Sequence, residues 1–271
     1  PESFAFRQKE ILQQEYNAFT NSLMQVAPIS VRRNPRKFFN LPTSNAVPWS
    51  SLGFYLAARP SFTLDPVFHA GAYYVQEASS MFLEQAILQL HLDDSPLTVL
   101  DLCAAPGGKS THLASLLHPD SLLISNEVIR SRASTLAENL QKWGNANVVV
   151  TNNDPQDFQR LPGFFDVIVA DAPCSGEGLF RKDPDAMKEW SEENVQLCSK
   201  RQRRILEDVW PSLKENGILI YSTCTYNRLE NEENLLWLKQ EHDVDFLSLQ
   251  TDPSWGIEVV NEDGIIGYRF Y

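Results

Sequence analysis

Between Leu97 and Thr223, short and solidly apolar runs alternate with longer segments of helical period, and this alternation leaves the chain few folds to choose from. Strands are predicted at Leu97–Leu102, Leu122–Asn126, Asn147–Thr151, Asp166–Ala170 and Gly217–Thr223. Helices are predicted at Gln76–His91, Ser110–Leu117, Ile129–Trp143 (stopped by Gly144), Ser191–Leu213 and Leu229–Glu241. A strand that is apolar on both faces must be covered on both faces. The pattern therefore specifies an α/β fold, a parallel sheet between two helical layers. In such sheets ligands bind beyond the carboxyl ends of the strands. The residues at those ends are the ones to inspect.

The first strand runs into Asp101-Leu102-Cys103-Ala104-Ala105-Pro106-Gly107-Gly108-Lys109 and then a helix. Small residues let a ligand approach the backbone, and the helix start offers free N–H groups. Glu127 ends the next strand, placed to hold ribose hydroxyls. Together these indicate an adenosine-containing cofactor. Gly108-Lys109-Ser110 matches the tail of a phosphate-binding P-loop, but that motif needs glycine where this chain has Cys103. The loop does not spell G-x-G-x-x-G either, which disfavours a nicotinamide enzyme. A cofactor without a pyrophosphate, such as S-adenosyl-L-methionine, suits it better. Two later strands each lead to a thiol: Asp171-Ala172-Pro173-Cys174-Ser175-Gly176 and Ser222-Thr223-Cys224-Thr225.

Ahead of the alternating region, residues 8–26 place Ile11, Leu12, Tyr16, Phe19, Leu23 and Val26 on one helical face, with Pro28 as the stop. A short strand, Ile29–Arg32, is expected next. Residues 34–66 are irregular, rich in serine, aromatics and proline (Pro35, Pro42, Pro48, Pro60, Pro66). The expected division is a small N-terminal α+β subdomain at 1–70 and a catalytic domain at 71–271. Four scattered cysteines, none in a CxxC pair, argue against a disulfide framework and a zinc site, and for a reducing, cytoplasmic compartment. No apolar run approaches a membrane span.

The net charge of −12 is unusual for a protein that grips phosphates, so any nucleic-acid contact must come from local patches. Arg32, Arg33, Arg36 and Lys37 form one; Lys200, Arg201, Arg203 and Arg204 form another. By itself each reads first as a solvated face.

Four blocks in this order, Asp101–Lys109, Asp166–Gly176, Gln202–Leu206 and Tyr221–Asn234, resemble the Sun-type family of RNA 5-methylcytosine methyltransferases. The likeness runs from about Tyr74 to the end. The further run Gly176-Glu177-Gly178-Leu179-Phe180-Arg181-Lys182-Asp183-Pro184 is similar to bacterial members that modify 16S ribosomal RNA. The resemblance implies a class I S-adenosyl-L-methionine-dependent methyltransferase, Rossmann-like with a mostly parallel sheet, acting as a monomer on RNA, either ribosomal RNA or the small ribosomal subunit.

It also implies residue roles. Cys224 is the attacking thiol and Cys174 helps release the product. Asp171 binds the N3 and amino edge of the base, and Pro173 fixes its loop. Cys103, Ala104, Ala105, Pro106, Gly107, Gly108 and Lys109 cradle the cofactor, which Asp171 also contacts. Glu127 takes the ribose, and Asp154, with Arg132 as a weaker candidate, lies near the adenine. The chemistry agrees, because adding a thiolate to carbon 6 of cytosine makes carbon 5 nucleophilic.

Plainer readings stand beside these. Cys103 and Cys198 are packing thiols, Asp154 is a turn or cap residue, and either of Cys174 and Cys224 is a small buried hydrophobe. A DNA-type cytosine-5 methyltransferase would use Cys174 as nucleophile; a nucleotide-binding P-loop enzyme and a non-catalytic RNA-binding module are the remaining alternatives. Arg32–Lys37 are an RNA-contacting candidate. Family members continue beyond the equivalent of Tyr271, so a catalytic domain truncated at its C-terminal end is expected.

Overall fold

The structure is a computed structural model and describes residues 1–39, 43 and 45–271; Pro42 of the proline-rich stretch lies outside them. Strands β1 (Ile29–Arg33), β2 (Gly53–Leu56) and β3 (Tyr73–Val75) form a small antiparallel sheet in the order β2-β1-β3. Then come β4 (Thr98–Asp101), β5 (Leu122–Asn126), β6 (Val148–Thr151), β7 (Phe165–Asp171) and β8 (Leu213–Ser222). These five are all parallel, in the order β6-β5-β4-β7-β8. A hairpin of β9 (Glu258–Glu262) and β10 (Ile265–Arg269) ends the chain.

Side chains alternate across a strand, so a continuously apolar strand feeds two cores. Val99, Val167, Val169, Ile218 and Ile220 pack with Leu83, Ile87, Leu113 and Trp143 on one face. Leu100, Ile168, Ala170, Leu219 and Tyr221 pack with Phe158, Ile205, Leu206 and Val209 on the other. The strand order reverses direction at β4, whose neighbours are β5 and β7. The crevice at that reversal is where such sheets bind ligands.

The N-terminal segment departs from expectation. In place of one helix over 8–26 there are two, Glu2–Leu12 and Tyr16–Met24, separated by a 3₁₀ turn at Gln13–Glu15. Gln13 takes a left-handed φ of 44° at the break. Fifteen residues of straight helix would part Phe4 from Phe19 by about 22 Å. The break instead brings their rings to 6.3 Å, into a cluster with Phe180 and Trp190. The new register leaves Ile11 and Val26, expected on the buried face, exposed. The helix expected at Gln76–His91 is shorter, a 3₁₀ turn at Ser79–Phe82 followed by Leu83–Gln89. The long helix is Glu192–Val209, and Ser191 caps it by accepting the Asn194 N–H.

The first basic patch is not a solvated face. Arg32 is fully buried. It donates to Gln76 Oε1 (2.8 Å), Thr111 Oγ1 (2.6 Å) and the Gly108 carbonyl (3.2 Å), and lies 4.6 Å from the Trp143 ring centre. Burial lowers its pKa to about 9. Lys37 donates to the Ala70 and Lys142 carbonyls, which leaves Arg36 as the exposed cation of the group. Arg32 thus fastens the N-terminal sheet to the helix Gly108–Leu116. Arg32→Ala would leave these acceptors unpaired beside a void and should cost roughly 2–5 kcal/mol in chemical denaturation. Arg32→Met leaves the same acceptors unpaired but refills the volume without a buried charge, so it should cost less. Equal losses in the two variants would assign the stability to the guanidinium's polar contacts rather than to the space it fills.

Candidate active site

Parallel pairing brings the two thiols together. β7 and β8 are neighbours, and Asp171 is in register with Ser222 at their carboxyl ends. The chain leaves β7 through Pro173 to Cys174 and leaves β8 through Thr223 to Cys224. The two sulfurs end 3.0 Å apart. This is well beyond the roughly 2.05 Å of a disulfide, and both cysteines are free thiols. The Cys224 N–H also points at Cys174 Sγ, at 3.3 Å.

The two thiols are electrostatically unequal. The hydrogen bond from Cys174, and then the Lys109 ammonium, lower the Cys224 pKa from the ordinary thiol value, against burial and the Asp171 charge. The same bond, and then burial, push Cys174 upward. Cys224 is therefore the thiol that ionises first, and a thiolate is the nucleophilic form. It is also the more exposed of the pair.

Lys109 Nζ lies 2.7 Å from Asp171 Oδ2, and Ser222 Oγ donates to Asp171 Oδ1 at 2.8 Å. The side chain expected to line the cofactor cradle is thus joined to the acid expected to bind the base. Lys182 pairs with Glu77 nearby; burial lowers its pKa, and the Cys224 charge opposes that.

The loop after β4 has the expected form. Gly107 caps the helix Gly108–Leu116 with φ 111°, a left-handed conformation in which a Cβ would sit 3.2 Å from Leu136 Cδ1. Ser110 Oγ donates to Asp101 Oδ2 at 2.6 Å and ties strand end to helix start. The other oxygen of Asp101 is buried without a hydrogen-bond partner among the described residues, and burial raises that carboxyl to about 7. Arg132 donates to the Ala105 carbonyl at 2.8 Å and pairs with Glu127 Oε2 at 3.3 Å. Glu127 Oε1 accepts the Ile129 N–H at 2.9 Å. Ala104 and Ala105 pack on Leu136 and Leu140 behind the loop. Cys103 packs beside Leu100 and Leu102, and its thiol is pushed up to about 12 by burial, so only its backbone is suited to ligand contact.

Asp154 is a cap residue here. It accepts the Gln156 N–H at 3.2 Å at the start of the 3₁₀ helix Pro155–Arg160 and pairs with Arg204 at 3.3 Å. Cys198 is buried in the long helix.

Some residues around the thiols were not singled out by sequence. Glu230, fully buried, accepts the Ser175 N–H (2.8 Å), the Ser175 hydroxyl and the Gln202 amide (3.0 Å). Gln202 also donates to the Pro173 carbonyl at 3.0 Å. Gly178 N–H donates to the Cys224 carbonyl at 2.8 Å, where any Cβ would come within 2.9 Å of that oxygen. Both Glu230 and Gln202 lie inside recognisable blocks. The signal was present, but their partners are distant in sequence.

With the site in view, comparison with known proteins is informative. Residues 86–264 match the family model described as 16S rRNA methyltransferase RsmB/F. The chain belongs to this family. Residues 1–78 match the N-terminal domain of 16S rRNA methyltransferase RsmF, so the narrower likeness to the F branch holds from the first residue. Ribosomal RNA small subunit methyltransferase F of Pectobacterium atrosepticum is 40% identical over 202 residues, 72% of this chain and 41% of that protein. The Shewanella loihica protein of the same name is 42% identical over 197 residues, 71% of this chain and 40% of its own length. The chain thus spans less than half the length of these curated relatives. A solved methyltransferase homolog protein from Pyrococcus horikoshii superposes with a TM-score of 0.78 at 30% identity, covering 93% of this chain and 82% of that one.

Proposed function

We propose that this protein is an S-adenosyl-L-methionine-dependent RNA (cytosine-5)-methyltransferase acting on a cytidine of 16S ribosomal RNA, free or in the small ribosomal subunit. The observation that carries this reading is the 3.0 Å approach of the Cys174 and Cys224 sulfurs beside the Asp171–Lys109 pair. A single catalytic cysteine would suffice for simple thiol chemistry. A second thiol in contact suits a reaction in which one sulfur bonds to the substrate and must later leave.

The residues present fit the cofactor. Asp101, Glu127, Asp154 and Asp171 stand at or just after the ends of β4, β5, β6 and β7; Arg132, Arg204 and Lys109 pair with the last three, which leaves one acid in excess. That acidic surround suits a positively charged cofactor and opposes a triphosphate. The Cys103–Lys109 backbone would hold it. Glu127, whose oxygens retain lone pairs, would take the ribose, and Asp154 would stand near the adenine. When bound, this cofactor supplies an electrophilic methyl group.

This chain's own groups do the rest. Asp171 receives the N3 edge of the base, and Pro173 sets the loop. The Cys224 thiolate adds to carbon 6, which turns carbon 5 into an enamine-like nucleophile. Cys174 then has its role. A Cys224 sulfur bonded to carbon no longer offers a thiolate to accept the Cys174 proton, so the main influence raising Cys174 is gone. Cys174 can then lose its proton to solvent and, once carbon 5 carries the methyl group, take the carbon-5 proton; the electron pair left behind restores the carbon 5–carbon 6 double bond and expels Cys224 as a thiolate. The target must leave its stack to reach this crevice. Residues 1–70 are proposed as the RNA-contacting subdomain, with Arg36 outward, ahead of the catalytic part at 71–271. A monomer in the cytoplasm is the proposed working form.

Labelled methyl transfer from the cofactor to 16S ribosomal RNA, free and in small subunits, tests the reading. Label in 5-methylcytosine is the expected product. Binding of cofactor with no label in any RNA would sink it.

A further inference from the structure

Among the described residues Glu230 has no cation to pair with, yet it is fully buried against the back of the cysteine site. All its recorded donors are neutral: Ser175 N–H, Ser175 Oγ and Gln202 Nε2. Gln202 spans from Glu230 to the Pro173 carbonyl, and its own oxygen accepts the Asn234 amide at 2.8 Å. Ser175 Oγ lies 3.1 Å from Thr225 Oγ1. The residues on either side of Cys174 are thus tied to one carboxylate, and through Ser175 that carboxylate reaches the residue after Cys224. Isolating a carboxylate from water without a cation is costly. Burial does raise the Glu230 pKa. A feature of that cost behind two thiols calls for a return.

We infer that Glu230 is a positioning residue for both cysteines: it fixes the Cys174 loop against the Cys224 turn and so sets the sulfur–sulfur contact. The inference rests on Cys224 being the attacking thiol. Without the clamp, the loop is free to draw Cys174 away, and Cys224 loses the donor that favours its thiolate. The carboxylate acts through its acceptor geometry rather than its charge. A glutamine can reproduce it, with the amide oxygen accepting from Ser175 N–H and Gln202, and the amide nitrogen donating to Ser175 Oγ.

Other ionisable groups reach the thiols: Asp171 and Lys109 from the neighbouring strand end and cofactor loop, Lys182 beyond the cysteine loop, Cys198 on the long helix, and Tyr221 and Tyr226 on and after β8. None of the substitutions below alters these.

The test is the pH dependence of iodoacetamide alkylation at Cys224, located by peptide mass spectrometry, in protein without RNA or cofactor. In Glu230→Ala the apparent pKa of Cys224 should rise by about one unit, cutting its thiolate fraction at neutral pH about tenfold. Glu230→Gln should keep the wild-type profile. In methyl transfer, Glu230→Ala should lower kcat and leave KM for RNA in place. A folded Glu230→Ala protein with the wild-type alkylation profile overturns the inference, as does Glu230→Gln behaving like alanine. If Glu230→Ala does not fold, Ser175→Ala removes the hydroxyl link to both Glu230 and Thr225. It should raise the Cys224 pKa in the same direction, and an unchanged profile overturns the inference. Alkylation is read without RNA, so it separates this inference from failure of the proposed methyl transfer.

Discussion

Cys224→Ala should abolish methyl transfer, and Cys174→Ala should instead trap a covalent protein–RNA complex. The two variants remove chemically identical groups whose sulfurs are 3.0 Å apart, so opposite outcomes must come from their environments. Cys224 is the thiol whose proton leaves first, because Cys174 donates to it and Lys109 favours its charge. Without it, nothing adds to carbon 6, and carbon 5 of cytosine stays a poor nucleophile. Without Cys174, Cys224 loses that donor and adds more slowly, but the adduct accumulates because the group that takes the carbon-5 proton is missing. The complex should survive denaturing electrophoresis and map to Cys224 by mass spectrometry. An adduct on Cys174 in the wild-type protein, or activity in Cys224→Ala, would reverse the roles and restore the DNA-type alternative.

The parallel sheet could be read from sequence because each central strand has to satisfy two cores. That requirement writes apolar residues at consecutive positions, and Leu122–Asn126 is found where the pattern put it. The strand ends were legible for a related reason. Chemistry at a strand end needs unusual residues, and Asp-Ala-Pro-Cys and Ser-Thr-Cys stand out against apolar runs.

What was not legible depends on partners far along the chain. The break at Gln13 is set by Phe4 and Phe19 converging on Phe180 and Trp190, which no local period reveals. Arg32 looked like surface because a cation beside three others usually is. Its burial is decided by Gln76, Thr111 and Trp143. The hairpin of β9 and β10 does carry a local mark. Asp263-Gly264 at its tip, with φ of 51° and 75°, is the dipeptide that two-residue hairpin turns favour. Glu230 is the extreme case, since its role becomes visible only through Ser175, 55 residues away.

Asp171→Asn should separate two properties that usually fall together, losing methyl transfer while leaving the nucleophile more reactive. The carboxylate is held by Ser222 at 2.8 Å and Lys109 at 2.7 Å, so asparagine fits the space without moving the strand end. What it loses is the acid group at the N3 edge, where negative charge develops as the thiolate adds to carbon 6 and a proton must be held. Removing one such preorganised contact typically costs on the order of 10²–10³ in kcat. The thiol should respond the other way. The Asp171 charge raises the Cys224 pKa, and Lys109 lowers it. Neutralising Asp171 removes the first influence and frees the Lys109 ammonium to act more fully. Cys224 should therefore ionise at lower pH and be alkylated at least as fast as in wild type near neutrality, the intrinsic loss of nucleophilicity offsetting only part of the gain. Lys109→Met should move alkylation in the opposite direction. If both variants slow alkylation together, the two residues support the thiol through structure alone. If alkylation rises in Asp171→Asn while transfer collapses, the acid is there for the base and not for the sulfur.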